Sequence, residues 1–123
     1  MKSHPFETVF AAAILAMISL AILFALVFGA FAHNAPSGWT YPATCCSGHD
    51  CGRIAADRVE QTPEGFVVTV MPGEHVMVEH WPPLVLVVPY NDPRIRPSPD
   101  GDYHLCVNAE RTLLCFFVGA MTG

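Results

Sequence analysis

Five cysteines are the residues of this chain most able to do chemistry. Three of them lie in a Cys-Cys-x-x-x-x-Cys segment, and two lie close to the C-terminus. In an oxidising compartment, cysteines in so small a region indicate disulfides, because a small core gains stability from covalent links. Since the number is odd, one thiol is free or pairs with another chain. We expect the 45–51 loop to be linked to the last hairpin, with a single Cys106–Cys115 bridge as the alternative. The disulfide candidates are Cys45, Cys46, Cys51, Cys106 and Cys115.

The same cysteines, together with His49 and His104, have the donor atoms that Zn²⁺ and Cu⁺ prefer. Their spacing contains no Cys-x-x-Cys pair, which argues against a compact metal site. A catalytic thiol needs a base within hydrogen-bond reach, and the chain shows no strand-turn-helix nucleophile motif. We therefore expect no metal, no cofactor and no catalytic residue, and hence no enzymatic activity.

Charged residues also gather in the proline-rich stretch 90–102. Asp100 and Asp102 lie in a Pro-Asp-Gly-Asp sequence, which is typical of a turn and needs no acid–base or Ca²⁺-binding role. Arg94 and Arg96 are the only cations of the stretch. Because loops often carry binding residues, we interpret this stretch as a possible contact surface formed by Arg94, Arg96, Asp100 and Asp102.

The elements that must position these residues fall into an apolar segment and a small domain. The chain has 123 residues, of which 52% are hydrophobic and 14% charged. The apolar excess lies in residues 9–32, which contain no charge. A helix of that length would span about 36 Å, more than the ~30 Å hydrocarbon core of a bilayer. The segment ends in Ala-Phe-Ala, a small-x-small signal-peptidase pattern. Residues 1–32 are therefore either a signal anchor or a signal peptide cleaved after Ala32.

The positive charges indicate the orientation. Lys2 precedes the apolar segment, and no Lys or Arg follows it before Arg53. The positive-inside rule then leaves the N-terminus in the cytoplasm and residues 33–123 outside. We predict an inner-membrane protein that crosses once through residues 9–32, with its domain in the periplasm, or a secreted periplasmic protein if it is cleaved.

Residues 33–123 consist of short segments rich in β-branched and aromatic residues, separated by proline and glycine. We predict a mostly β fold: a small disulfide-stapled antiparallel domain of five or six strands behind one N-terminal hydrophobic helix. The continuously apolar strand near residue 86 suits a position covered on both faces or near the membrane, and we expect Trp81 to pack in the core. The only possible helical turn is Ile54–Val59, and residues 62–65 form a turn. The candidate strands are Arg58–Gln61, Phe66–Val70, His75–His80, Leu84–Val88, Tyr103–Val107 and Thr112–Val118.

The charge balance limits the partners. The net charge is −5, and only Lys2 and Glu7 among the charged residues precede residue 33. An acidic domain does not suit nucleic-acid phosphate, whereas a basic protein is a suitable partner. We interpret the chain as a non-enzymatic protein-binding module, for example an inhibitor of a basic wall-degrading enzyme. The alternatives are a subunit of a larger membrane assembly that packs through the N-terminal helix, and a thiol-redox or metal-handling protein.

Four motifs in order along the chain resemble a group of small exported proteins of alphaproteobacteria and their phages. The resemblance covers roughly residues 39–118. It implies an exported, cysteine-stapled module, and it implies no specific activity. The motifs are YPxxCCSGxDC at 41–51, QTPEGF at 61–66, SPDGxYHxC at 98–106 and LCFF at 114–117.

Overall fold

The computed structural model describes residues 5–28 and 33–119. These residues form two compact units, one for each of the two ranges. The first contains helix α1 (Pro5–Phe28), and the second contains seven strands and a 3₁₀ turn, Ala56–Arg58. The mostly β fold behind an N-terminal helix is confirmed, with one or two strands more than predicted. The strands are β1 (Cys51–Ile54), β2 (Val59–Thr62), β3 (Gly65–Val70), β4 (Leu84–Val88), β5 (Ile95–Pro97), β6 (Tyr103–Val107) and β7 (Leu113–Val118).

Helix α1 is apolar on every side. It begins at Pro5, whose fixed φ suits the first helical position. The part of the helix from Pro5 to Leu26 has a mean hydropathy of 2.8, and no residue in its most apolar 18-residue stretch is buried. The helix is therefore long and apolar enough to cross a membrane. The predicted Ala-Phe-Ala cleavage pattern lies outside the described residues.

The domain is a sandwich of two sheets. One sheet has the strand order β1-β6-β7-β5 and the other the order β2-β3-β4. All pairs are antiparallel except β5 with β7, which is parallel. Phe66 and Val68 of the smaller sheet pack with Leu105 and Phe116 of the larger one in the main core. Burial of these apolar side chains between two sheets is the dominant stabilising term of such a fold.

A second core covers the opposite face of the larger sheet. There the segment 33–50 packs Tyr41 and Cys45 against Cys106 and Phe117. The larger sheet is therefore buried on both faces, which explains why β6 and β7 are almost continuously apolar.

A tight turn joins β2 to β3, as predicted for residues 62–65. Gly65 has a φ of 143°. A Cβ atom at this position would lie 2.3 Å from the carbonyl oxygen of Val88. Only glycine fits both the backbone conformation and the close approach of β4.

Two predicted segments differ in the structure. His75–His80 is not a strand, because the chain folds back at once into an isolated bridge between His75 and Val78. The amide of Val78 donates to the carbonyl of His75 at 2.8 Å, and both side chains are buried. The stretch 90–102 is not wholly a loop, because β5 lies within it and pairs with β7.

Candidate functional site

Three of the five cysteines form a row across the larger sheet. Cys51 on β1 lies opposite Cys106 on β6, which in turn lies opposite Cys115 on β7. The structure joins Cys51 to Cys106 and Cys45 to Cys115. Cys46 is free and buried.

This pairing links the 45–51 loop to the last hairpin, as expected. The alternative Cys106–Cys115 bridge is wrong, although the two residues are neighbours in the register. Cys106 is already paired with Cys51, and the covering segment 33–50 brings Cys45 to Cys115. Because Cys46 is only 2% exposed, its thiol has no access to a redox partner in the folded state. Within the described residues, no group of three His, Cys, Asp or Glu side chains could hold a metal ion.

A partly buried polar network, centred on the buried side chains of Tyr41 and His104, lies beside the second core. The Tyr41 hydroxyl forms a hydrogen bond with Nδ1 of His104 at 2.8 Å, and Nε2 of His104 donates to the carboxylate of Asp100 at 2.9 Å. Asp100 also accepts hydrogen bonds from Ser37, from Ser98 and from the indole N–H of Trp39. Burial would raise the pKa of Asp100, but these hydrogen bonds outweigh it and hold the pKa well below its usual value.

The order carboxylate–imidazole–hydroxyl resembles a catalytic relay, but its terminal group is inaccessible. Tyr41 is 1% exposed. Burial, and then the negative charge of Asp100, raise the pKa of Tyr41 to about 12. The hydroxyl therefore stays protonated, and it is hydrogen-bonded to His104. The network fastens the segment 33–42 to the 98–104 turn. Sequence reasoning missed this network, because no local pattern relates Tyr41 to His104 across 63 positions.

Three of the four predicted contact residues are engaged within the domain. Arg94 pairs with Asp92 at 2.7 Å, and Asp102 pairs with Arg53 at 2.7 Å. Asp100 belongs to the polar network. Only Arg96 lacks such a partner among the described residues.

The smaller sheet has one uncovered face, which we call the valine face: Glu60, Val67, Thr69, Val85 and Val87. The register places Glu60, Val67 and Val87 in one row and Thr69 and Val85 in the next. Val85 and Val87 are 58% and 60% exposed. They belong to β4, an edge strand of its sheet.

Such a surface is unusual for a small protein. The solvent face of an antiparallel sheet is normally polar, and edge strands are normally protected by charges, prolines or bulges. β4 has none of these between Leu84 and Val88. Of the two alternatives for this strand, cover on both faces is wrong, because no third layer packs on the smaller sheet within residues 33–119, and a position near the membrane stays a prediction. Trp81 is also not in the core, since it is 72% exposed just before β4.

Comparisons with protein-family models, with curated proteins and with solved structures found no match to this chain. The resemblance to small exported proteins therefore stays a prediction. The fold and the surface together define a small disulfide-linked β-sandwich behind an apolar helix, with one apolar sheet face open to solvent.

Proposed function

We propose that this protein is a non-enzymatic protein-binding module of the periplasm, held at the inner membrane by α1, and that the valine face with Trp81 is its binding surface. The observation that carries the proposal is the open face itself. Exposed contiguous apolar surface is costly in water and typically marks an interaction site. Trp81, which is 72% exposed immediately before β4, is an aromatic residue of the type enriched at interface hot spots.

The location rests on two properties of the chain. Helix α1 is long and apolar enough to cross a membrane, and two disulfides fit an oxidising compartment. If α1 is instead a signal peptide removed after Ala32, the same domain is free in the periplasm. Both forms present the valine face outside the cytoplasm.

A carboxylate on the face favours a basic partner. Glu60 lies on the valine face and is exposed. It forms no ion pair with another described residue. A partner that combines an apolar strand or patch with flanking Lys or Arg residues would complement this surface. A basic wall-degrading enzyme inhibited by the module is one concrete form of the proposal.

Site-specific photocrosslinking in intact cells tests the proposal. A photoreactive residue is placed at Val87, with His49 as the matched control. His49 is also exposed but belongs to the segment that covers the opposite side of the sandwich. We expect a discrete crosslinked product from position 87 only, in a yield that falls in 0.5 M salt, since screening weakens charge attraction. Equal products at both positions, or none at position 87, would contradict the proposal.

A second candidate is a subunit of a larger membrane assembly, and the uncovered surface of α1 favours it. Small residues such as Ala12 and Ala16 allow close approach of another helix. A photoreactive residue at Leu20 separates the two functions. A product from position 20 without one from position 87 would favour the assembly subunit.

A further inference from the structure

Arg96 differs from every other arginine of the chain. The other four side chains have partners within the domain, whereas the Arg96 side chain forms no hydrogen bond or ion pair with any described residue. A shortage of carboxylates does not explain this, because the net charge is −5. The four engaged pairs are Arg53 with Asp102, Arg58 with Glu74, Arg94 with Asp92, and Arg111 with the carbonyl of His80.

The Arg96 side chain lines a cleft of about 280 Å³ at the β5 edge of the larger sheet. Its other walls are mainly apolar and aromatic, with Trp39, Pro42, Pro97, Pro99 and Phe117, and they include the two threonines Thr40 and Thr44. Trp39 and Phe117 belong to the second core. The cleft therefore lies on the side of the larger sheet that faces away from the valine face.

The walls of the cleft are held in place before any ligand arrives. The indole N–H of Trp39 donates to Asp100 at 2.9 Å, which fixes the ring. Phe117 is 3% exposed and packs edge-on against that ring. The prolines have restricted backbones. A rigid, mainly apolar cleft with one charged group is a common form of a small-ligand site, and little conformational freedom is lost on binding to it.

We propose that this cleft binds a carboxylate attached to an aromatic or branched apolar group. The guanidinium of Arg96 would pair with both carboxylate oxygens, a geometry that suits its planar set of donors. The indole of Trp39 and the prolines would contact the apolar group. Such a ligand is either a free organic acid or the C-terminal residue of a peptide.

The first test is a fluorescence titration of the full chain in dodecyl maltoside. Trp81→Phe leaves Trp39 as the only tryptophan and hence as a reporter inside the cleft. The probes are N-acetylphenylalanine and its amide, which differ in charge but not in the aromatic group. We expect a saturable change in Trp39 emission with the acid and none with the amide. Equal responses to both probes, or no response to the acid up to 50 mM, would overturn the proposal.

Two arginine variants, each made in the Trp81→Phe chain, test the role of the charge. Arg96→Gln is expected to weaken binding of the acid roughly tenfold or more, the usual size of a lost charged hydrogen bond. Arg53→Gln removes another exposed arginine, whose partner is Asp102, and is expected to bind as before. Unchanged binding in Arg96→Gln would overturn the proposal. Because Arg96 has no partner among the described residues, its loss should leave the near-UV circular dichroism unchanged.

A third probe distinguishes the two sources of the carboxylate. Gly-Gly-Gly-Phe ends in the same residue as N-acetylphenylalanine but carries a peptide chain. Tighter binding of the tetrapeptide would assign the cleft to chain ends, and tighter binding of N-acetylphenylalanine would assign it to free acids. The valine face takes no part in these measurements, so their result is independent of the proposed function.

Discussion

Removing the disulfides one at a time gives a stability pattern that depends on how the two bridges are nested. The Cys51–Cys106 bridge closes a separation of 55 residues and lies inside the Cys45–Cys115 bridge, which closes 70. The loop-closure relation assigns each bridge alone about 4 kcal/mol of stability. With one bridge intact, however, the other closes a ring of only about 15 residues, formed by segments 45–51 and 106–115, which is worth about 3 kcal/mol.

The two single-bridge variants are therefore expected to lose nearly the same stability. We predict about 3 kcal/mol for Cys51→Ala/Cys106→Ala, and about the same for Cys45→Ala/Cys115→Ala, despite their different separations. Removing both bridges should cost about 7 kcal/mol. That loss is comparable with the whole stability of a typical domain, about 5–15 kcal/mol, so the doubly depleted domain should be largely unfolded.

Urea unfolding of the full chain in detergent, followed by tryptophan fluorescence, measures these losses. A Cys46→Ala background prevents disulfide exchange, and that variant alone is the reference state. A difference of more than about 2 kcal/mol between the two single-bridge variants would refute the nested-loop reasoning. Tryptic mapping checks that both bridges join the 45–51 loop to the last hairpin, because the fragment ending at Arg53 should be linked to those containing Cys106 and Cys115. A direct link between the latter two fragments alone would refute the pairing.

Three further predictions concern single residues. Burial lowers the pKa of His75 in the folded domain. As the pH drops below 6.5, the ordinary pKa of histidine, the unfolded chain takes up a proton before the folded one, so the free energy of unfolding should fall. His75→Gln should reduce the difference between the free energies of unfolding measured in urea at pH 7 and at pH 5. Gly65→Ala should lower the free energy of unfolding, measured by thermal denaturation, by at least about 2 kcal/mol. Gly48→Ala should cost about 1 kcal/mol, since the φ of Gly48 is also positive but a Cβ atom there would have no described atom within 4 Å. Asp100→Asn should lower the free energy of unfolding by about 2–3 kcal/mol at pH 7. Because folding lowers the pKa of Asp100, the native protein loses this stabilisation as the pH falls below 3.8. The difference between the native protein and the variant should therefore shrink in unfolding curves recorded at lower pH.

Local patterns predicted the elements whose formation depends on their own residues. β-branched and aromatic runs identified β3, β4 and β6, and a turn motif identified the link from β2 to β3. The alternation in His75–His80 was misleading, because the buried side chain of His75 bonds to the carbonyl of Leu105 instead of lying on a strand. β5 was missed because it has three residues and ends in Pro97, so its pairing with β7 is needed to define it.

The sequence by itself determined the apolar N-terminal segment, the acidic charge balance, the mostly β class and the odd number of cysteines. These are properties of composition and short-range periodicity, which are present before the chain folds. The tertiary structure alone decided which cysteines pair, how Tyr41 reaches His104, which sheet face stays uncovered and which arginine has no partner among the described residues. Each of these depends on strand register and on which layers cover one another, and such long-range pairings leave no local trace in the chain.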